Sequence, residues 1–211
     1  MASEFEYQWT SERSLRVCGP ASPAVIADAL RTMDGVIDAA ATESAAYARL
    51  DPLASVSLES MDAQIDGLSA RAPAPPVVHE IPVCYDPPFG LDLDSVARQA
   101  GMAVDEVVGL HTSTRFTVAF LGFAPGFGYL SGLPERLHVS RLSSPRARVD
   151  AGSVGIAGPY SGAYALPGPG GWRVIGRTSM RLFDTSRDSP ALLQAGDVVR
   201  FRAVTAGEIE R

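Results

Sequence analysis

The distribution of glycine is the feature that most constrains how this chain can fold. Twelve of the 20 glycines lie in residues 122–176. From residue 111 onward, short apolar runs such as RFTVAFLGF, SVGIAG, WRVIG and DVVRF alternate with turn residues. Short strands separated by frequent turns are typical of an all-β barrel or sandwich. We therefore predict that residues 111–211 form a β-barrel.

The residues before this region carry a mixture of helical and strand patterns. SPAVIADALRTMDG begins with Ser-Pro and ends at Gly35, as helices commonly do, and SVSLESMDAQIDGL has apolar residues near helical spacing. Together with the strands around them, ending in VVHEIPVCY, they give the order strand–helix–strand–strand–helix–strand, which is typical of a ferredoxin-like α+β unit. The prediction is an α+β protein with an N-terminal ferredoxin-like domain over residues 1–85, a helical bridge over 86–110 and the barrel over 111–211.

The charge is divided unevenly between the two halves of the chain. Residues 1–110 contain 6 Arg and 17 acidic residues, a balance of −11, whereas residues 111–211 contain 12 Arg and 7 acidic residues, a balance of +5. We expect a small anionic ligand to bind to the second half, and the overall charge of −6 argues against nucleic acid. All 18 basic residues are Arg, so the chain can form neither a Walker A loop nor a lysine Schiff base.

Several classes of protein are not expected from this sequence. No apolar run approaches the roughly 18 residues that span a membrane, and the acidic N-terminus has no apolar signal core, so we expect a cytoplasmic protein without membrane association. Two cysteines, Cys18 and Cys84, and three scattered histidines match no metal-ligand spacing, so no metal site is expected.

The stretch GFAPGFGYL, residues 122–130, is unusually apolar for a turn. Phe123, Phe127 and Tyr129 either plug an end of the barrel or form a rigid aromatic wall of a pocket. Gly126 would allow a ligand to approach the backbone or would supply a positive φ angle.

A second glycine-rich stretch, PGPGGWRVIGRT, begins at residue 167. Arg146 and Arg177 are either surface charges or clamps for a carboxylate or phosphate. Loop amides around Gly126–Gly128 and Gly170–Gly171 would stabilise an oxyanion if the two loops converge. The expected substrate- or anion-binding residues are Gly126, Phe127, Tyr129, Ser153, Tyr164, Gly170, Gly171 and Trp172, although Trp172 is also a candidate core residue.

His111 directly precedes the first predicted strand of the barrel. It is either a buried, hydrogen-bonded core histidine or a general acid or base, since imidazole titrates near neutrality. The expected catalytic residues are therefore His111, Arg146 and Arg177. The nucleophile-elbow pattern G-x-S-x-G does not occur, so a hydrolase that acts alone is not expected.

Taken together, GFAPGFGYLSGLP, SPR, GSVGIAG and PGGWRVIGRT resemble a family that includes a subunit of bacterial 5-oxoprolinase, a subunit of allophanate hydrolase and the sporulation-kinase inhibitors. Upstream, IPVCYD, GLDLDSVA and LHTSTRFTV continue the resemblance, which runs from about residue 80 to residue 202. The family tends to have proline at the positions of Ser140, Asp150 and Ala165, which are loop positions.

The resemblance implies an N-terminal α+β domain followed by a cyclophilin-like β-barrel. It further implies a subunit that is inactive alone and acts with a larger related subunit, and with a third subunit in 5-oxoprolinase, to cleave an amide or lactam while ATP is hydrolysed. The substrate it implies is 5-oxoproline, which is opened to glutamate. It implies ATP as the cofactor, and whether ATP is bound by this subunit, by a partner or by both stays open. The alternative is a non-enzymatic inhibitor of a sensor histidine kinase, and a prolyl isomerase activity rests on the barrel analogy alone.

Overall fold

The computed structural model describes residues 4–69 and 75–209, which divide into two compact units, one ending at Pro75 and the other beginning at Pro76. The first unit consists of β1 Glu6–Ser11, β2 Ser14–Cys18, α1 Pro23–Arg31, β3 Val36–Ala41, β4 Ala46–Leu50 and α2 Leu58–Ser69. Its four strands form an antiparallel sheet in the order β1-β2-β4-β3.

Local sequence determines where the helices of this unit begin and what they cover. The Ser22 hydroxyl accepts a hydrogen bond from the Val25 amide, and Pro23 occupies the first turn of α1, as predicted from Ser-Pro. Both helices pack against buried strand residues in one core, which includes Leu15, Val17, Ile26, Leu30, Met61 and Ile65.

The N-terminal unit is α+β, but the predicted ferredoxin-like strand order is wrong in one respect. The edge position beside β2 is taken by β1, at the start of the chain, and not by the strand VVHEIPVCY that follows α2. That strand, β5 Val78–Val83, lies in the sheet of the second unit, where it pairs in parallel with β13 Val198–Ala203. An apolar alternation is the same for either sheet, so the local pattern does not decide between them.

The second unit is built around a seven-stranded sheet in the order β12-β9-β10-β7-β6-β13-β5. Besides β5 and β13, its strands are β6 Phe116–Leu121, β7 Gly128–Ser131, β9 Ser153–Ala157, β10 Tyr160–Ala163 and β12 Arg173–Arg177. Two further strands, β8 Arg146–Val149 and β11 Gly168–Gly170, form a separate pair. The helical elements are α3 Leu93–Ala100, α4 Val104–Ser113, the 3₁₀ turn Glu135–Leu137 and α5 Ala206–Ile209.

The two edges of the seven-stranded sheet meet at a single backbone bridge. The Cys84 amide donates to the Arg177 carbonyl at 2.8 Å, and the Arg177 amide donates to the Cys84 carbonyl at 2.9 Å. This bridge joins the end of β5 to β12, so the sheet is a nearly closed barrel, as the glycine-rich pattern predicts.

The predicted helical bridge is part of the barrel unit. Both helices occur where expected, as α3 and α4, but α4 extends to Ser113 and the division of the chain falls at residues 75–76 instead of 85. The apolar faces of these helices contribute Leu93, Val96 and Val107 to the same core as the barrel strands. A helix that buries its apolar face against the barrel cannot be a separate element of the fold.

Within residues 4–69 and 75–209, no helix has the length and apolar character needed to cross a membrane.

Candidate functional site

The two glycine-rich stretches of the sequence converge on one small cavity of the barrel unit. The turn after β6 and the segment that joins β11 to β12 enclose a volume of about 70 Å³. The cavity is lined by Phe123, Phe127, Tyr129, Arg141, Tyr164, Gly170, Gly171 and Trp172, which we call the aromatic pocket. Six of the eight predicted binding residues therefore line it, and of the glycines named for an oxyanion site Gly170 and Gly171 line it whereas Gly126 and Gly128 do not.

The ring of Phe127 lies at the centre of the aromatic wall. Its centroid is 5.3 Å from both Tyr164 and Trp172 and 5.2 Å from Tyr129, and each pair packs edge to face. Phe127, Tyr164 and Trp172 are buried in a cluster of their own. The same three rings are therefore buried in a core cluster and line the cavity.

Phe123 differs from the other rings of the pocket. Its φ angle is 68°, a left-handed conformation that a bulky side chain rarely adopts, and its side chain is 61% exposed. Among the described residues it is the one non-glycine residue with positive φ. Such backbone strain persists only where the surroundings impose it, and it concentrates at binding sites.

Tyr164 and Gly170 form the floor of the pocket. A Cβ atom at Gly170 would collide with the Tyr164 hydroxyl, so only glycine lets this phenol reach the main chain. Burial raises the pKa of Tyr164, although a hydrogen bond with the Trp172 backbone and the nearby Arg141 and Arg146 oppose the rise. The phenol therefore stays protonated at neutral pH.

Arg146, predicted as an anion clamp, does not line the pocket. Its guanidinium donates to both carboxylate oxygens of Asp92, at 2.9 and 2.8 Å, and Asp92 also accepts a hydrogen bond from the Val174 amide. This carboxylate raises the pKa of Arg146. Since the guanidinium already binds a carboxylate within the chain, the geometry is that of a structural ion pair.

His111 lies in the core of the barrel unit and is fully buried. Its Nδ1 is 2.8 Å from the Tyr85 hydroxyl, its Nε2 is 2.9 Å from the Ser161 hydroxyl, and its ring stacks on Phe201. Burial lowers the pKa of His111 to about 3. These contacts fit the interpretation of a core histidine, and none places His111 at the aromatic pocket.

Arg177 faces a second, wider cleft of about 580 Å³ on the barrel unit. Its guanidinium lies over the ring of Phe89, 5.9 Å from the centroid, and 3.9 Å from Asp150. Arg181 also lines this cleft. The two predicted arginine clamps are therefore far from equivalent, since Arg177 is partly exposed to a cleft and Arg146 is engaged in an ion pair.

Gly126 and Ser153 are predicted binding residues that line neither cavity. Gly126 has a φ of +75°, and a Cβ atom there would approach Ala165 and Phe183 within about 3 Å, so its role is to form the turn. Ser153 is a buried residue of β9 that pairs with Arg177.

Arg141 lines the pocket but is not among the residues predicted from the sequence. It lies five residues before Arg146 in the arginine-rich segment RLSSPRAR, and this clustering is the signal that could have indicated it. Within residues 4–69 and 75–209, no group of three or more His, Cys, Asp or Glu side chains is placed to hold a metal ion.

The fold and the site define a protein of two α/β units, whose nearly closed barrel carries an aromatic pocket between two glycine-rich loops. Residues 11–193 match the family model described as "Carboxyltransferase domain, subdomain C and D". The chain belongs to this family, and the resemblance found in its sequence motifs is confirmed.

Individual relatives agree with this assignment. The chain is 55% identical over 122 residues to a 5-oxoprolinase subunit of Escherichia coli O157:H7, covering 58% of this chain and 56% of that protein. It is 48% identical over 122 residues to the corresponding 5-oxoprolinase subunit of Bacillus subtilis (strain 168), covering 58% of this chain and 51% of that protein. The chain thus spans about half the length of the curated relatives it matches. The crystal structure of TTHA0988 superimposes with a TM-score of 0.76 at 34% identity, covering 96% of this chain and 40% of that one.

Proposed function

We propose that this chain is one subunit of an ATP-dependent complex that cleaves an amide or lactam, and that its substrate is 5-oxoproline. Two relatives at 48–55% identity are named as subunits of 5-oxoprolinase. TTHA0988, of which this chain covers 40%, is a longer polypeptide that contains a similar segment. In this proposal the chain acts together with a larger partner subunit.

The observation that carries this proposal is the aromatic pocket. One water molecule needs roughly 10–15 Å³ of cavity volume. The aromatic pocket, at about 70 Å³, therefore accommodates roughly five to seven non-hydrogen atoms. That is the size of a five-membered lactam ring, and flat aromatic walls suit a small planar group. Main-chain groups of Gly170 and Gly171 line the same cavity, where amide donors would face a substrate carbonyl.

The chemistry explains why ATP is required. An unstrained lactam is a poor electrophile, and transfer of the γ-phosphoryl group of ATP to the amide oxygen would release ADP and open the carbon to attack by water. The ring C–N bond would then break, which leaves a free amine and an acyl phosphate, and a second water would displace phosphate to give the new carboxylate of glutamate. Donors fixed around the carbonyl of the acyl phosphate would stabilise the negative charge that develops on its oxygen during this last attack. Because the sequence contains no lysine, it has no Walker A loop, and we assign ATP to no residue of this chain.

Arg177 remains a candidate for an anion clamp, at the wider cleft. Its guanidinium is partly exposed there, and its contact with Asp150 is long, at 3.9 Å. A planar guanidinium binds a carboxylate or phosphate with two parallel hydrogen bonds. We therefore propose that Arg177 contributes to the reaction through an anionic group bound in that cleft.

The proposal is tested by mixing the purified chain with the larger subunit and the third subunit, 5-oxoproline and ATP. Glutamate and ADP are expected from the mixture, and neither product from this chain alone. Omission of this chain should abolish glutamate formation. Glutamate production that is unchanged without the chain would overturn the proposal, as would turnover by the chain alone.

A further inference from the structure

Among the described residues that line the aromatic pocket, the one charged side chain is that of Arg141. The remaining lining residues are aromatic rings and glycines. The side chain of Arg141 forms no hydrogen bond or ion pair within the described residues, in contrast to Arg146, which is held by Asp92. An arginine among apolar walls without a counter-ion is available to bind an anion from solution.

The backbone on both sides of Arg141 is fixed to the loop that forms the opposite wall. The Leu142 amide donates to the Gly171 carbonyl at 2.7 Å, and the Arg173 side chain donates through Nε to the Ser140 carbonyl at 3.2 Å. The Cβ atom of Arg141 would also lie 3.9 Å from a Cβ atom at Gly171. These contacts fix where the Arg141 side chain leaves the main chain, beside the loop that contains Gly171.

The electrostatic environment of the pocket also favours an anion near Arg141. Its charge acts on the Tyr164 phenol, where it opposes the rise in the pKa. In the part of the chain that the structure describes, no acidic side chain lines the cavity. A bound carboxylate would therefore meet one guanidinium and no competing negative charge in the lining.

We propose that Arg141 binds the carboxylate of the substrate while the aromatic wall holds the ring, so that the pocket selects a small cyclic carboxylate over the neutral lactam. This inference rests on the proposed function. With the ring against the aromatic wall, the carboxylate would project from it toward the exposed Arg141. Arg141 is thus a specificity-determining residue.

Trp172 makes this binding directly measurable by fluorescence. Trp172 lines the pocket, and the second tryptophan, Trp9, lies on β1 in the other unit, so a Trp9→Phe chain reports from the pocket alone. In this background, 5-oxoproline and 2-pyrrolidinone, the same lactam without the carboxylate, are titrated by fluorescence, with calorimetry as an independent measurement. We expect saturable binding of 5-oxoproline, and an affinity for 2-pyrrolidinone that is at least about tenfold lower.

Arg141→Gln should remove this discrimination. It should weaken the binding of 5-oxoproline at least about tenfold and leave the binding of 2-pyrrolidinone unchanged. Arg200→Gln, an exposed arginine of β13 that lines neither described cavity, makes the same change in net charge and should behave like the parent. Equal affinities for the two lactams, retained discrimination in Arg141→Gln, or no binding of 5-oxoproline by either method would each overturn the inference.

The two proposals fail in different ways. A complex that hydrolyses 5-oxoproline while its barrel subunit does not discriminate between the lactams would retain the proposed function and overturn the role of Arg141. Selective binding by the chain, together with a fully assembled complex that forms no glutamate, would support the anion-selective pocket and overturn the proposed function.

Discussion

The guanidinium of Arg146 and the carboxylate of Asp92 form a bidentate ion pair, with N···O distances of 2.9 and 2.8 Å. Asp92 directly precedes α3, and it also exchanges hydrogen bonds with Val174 of β12. This pair therefore joins strand β8, helix α3 and the edge of the barrel at one point. An arginine in a family motif is here a structural group, because its charge is already neutralised within the chain.

We expect Arg146→Ala to lower the free energy of unfolding by about 2–3 kcal/mol. This is less than for a fully buried pair, because the Arg146 side chain is 28% exposed whereas Asp92 is 8% exposed. Urea unfolding of the purified chain measures the change. Arg148→Ala is the matched control, because its pair with Asp150 is largely exposed and should be worth about 1 kcal/mol or less. Equal losses for the two variants would contradict the structural role of Arg146.

Much of the barrel was predictable from sequence, because strand alternation and glycine turns are local. The runs SVGIAG, WRVIG and DVVRF all form strands, as β9, β12 and β13. The assignment of VVHEIPVCY to the wrong sheet has a physical reason. Strand β5 pairs with β13, about 120 residues later in the chain, and no local pattern specifies such a distant partner.

Part of the candidate site was predictable from the composition of the two glycine-rich loops. Aromatic and glycine residues of the two loops do meet in one pocket, since their composition suits close packing around a cavity. The different roles of Arg141, Arg146 and Arg177 were not predictable from the sequence. Arg146 meets Asp92, 54 residues earlier, whereas Arg141 meets no acidic side chain among the described residues, and both lie in the same short segment.

Gly170 should not tolerate a side chain, and a second substitution can test the reason. In Gly170→Ala, the new methyl group would collide with the Tyr164 hydroxyl, and we expect a loss of about 1–3 kcal/mol in the free energy of unfolding. Adding Tyr164→Phe should recover part of this loss, because the oxygen is the nearest atom to the new methyl group. Gly168→Ala is the control in the same strand, where a Cβ atom would meet nothing within 4 Å. A Gly168 variant as unstable as the Gly170 variant would contradict the argument.

His111 should make the chain less stable as the pH falls below neutrality. Burial lowers its pKa from 6.5 to about 3 in the folded state, so below pH 6.5 the unfolded chain binds a proton that the folded chain does not. This group alone should remove about 2 kcal/mol of stability between pH 7 and pH 5.

The comparison with His111→Gln isolates this effect, since Gln can form hydrogen bonds but does not titrate. The variant should be less stable than the parent at pH 7, and the difference should narrow by about 2 kcal/mol on going to pH 5. Urea unfolding at several pH values measures both chains. A difference that does not change with pH would show that His111 is not held neutral in the folded protein.

Arg177→Lys should separate charge from geometry at the wider cleft. Lysine keeps the positive charge but loses the planar fork of hydrogen-bond donors. We expect at least about a tenfold loss of glutamate formation in the reconstituted complex, with stability within about 0.5 kcal/mol of the parent. Arg200→Lys is the control on an exposed strand position. Full activity in a folded Arg177→Lys variant would remove Arg177 from the site.

Phe123 should be important for binding but not for folding, in contrast to Phe127. Phe127 is 2% exposed, so Phe127→Ala should cost about 3–5 kcal/mol of stability. Phe123 is 61% exposed and has a φ of 68°, so Phe123→Gly relieves backbone strain while it adds entropy to the unfolded chain. These effects oppose each other, and we expect the stability of Phe123→Gly to lie within about 1 kcal/mol of the parent.

The loss of the Phe123 ring should nevertheless weaken 5-oxoproline binding and the activity of the complex, because this ring is the exposed wall of the aromatic pocket. Phe123→Leu keeps an apolar side chain at the same strained position but removes the aromatic ring, so it shows whether binding depends on the ring or only on the size of the side chain. Thermal unfolding of the chain, Trp172 fluorescence in the Trp9→Phe background and glutamate formation by the complex are compared for each variant. If Phe123→Gly binds and reacts like the parent, the exposed ring is not a binding element. If the variant unfolds the chain, the expectation that Phe123 is not needed for folding is wrong.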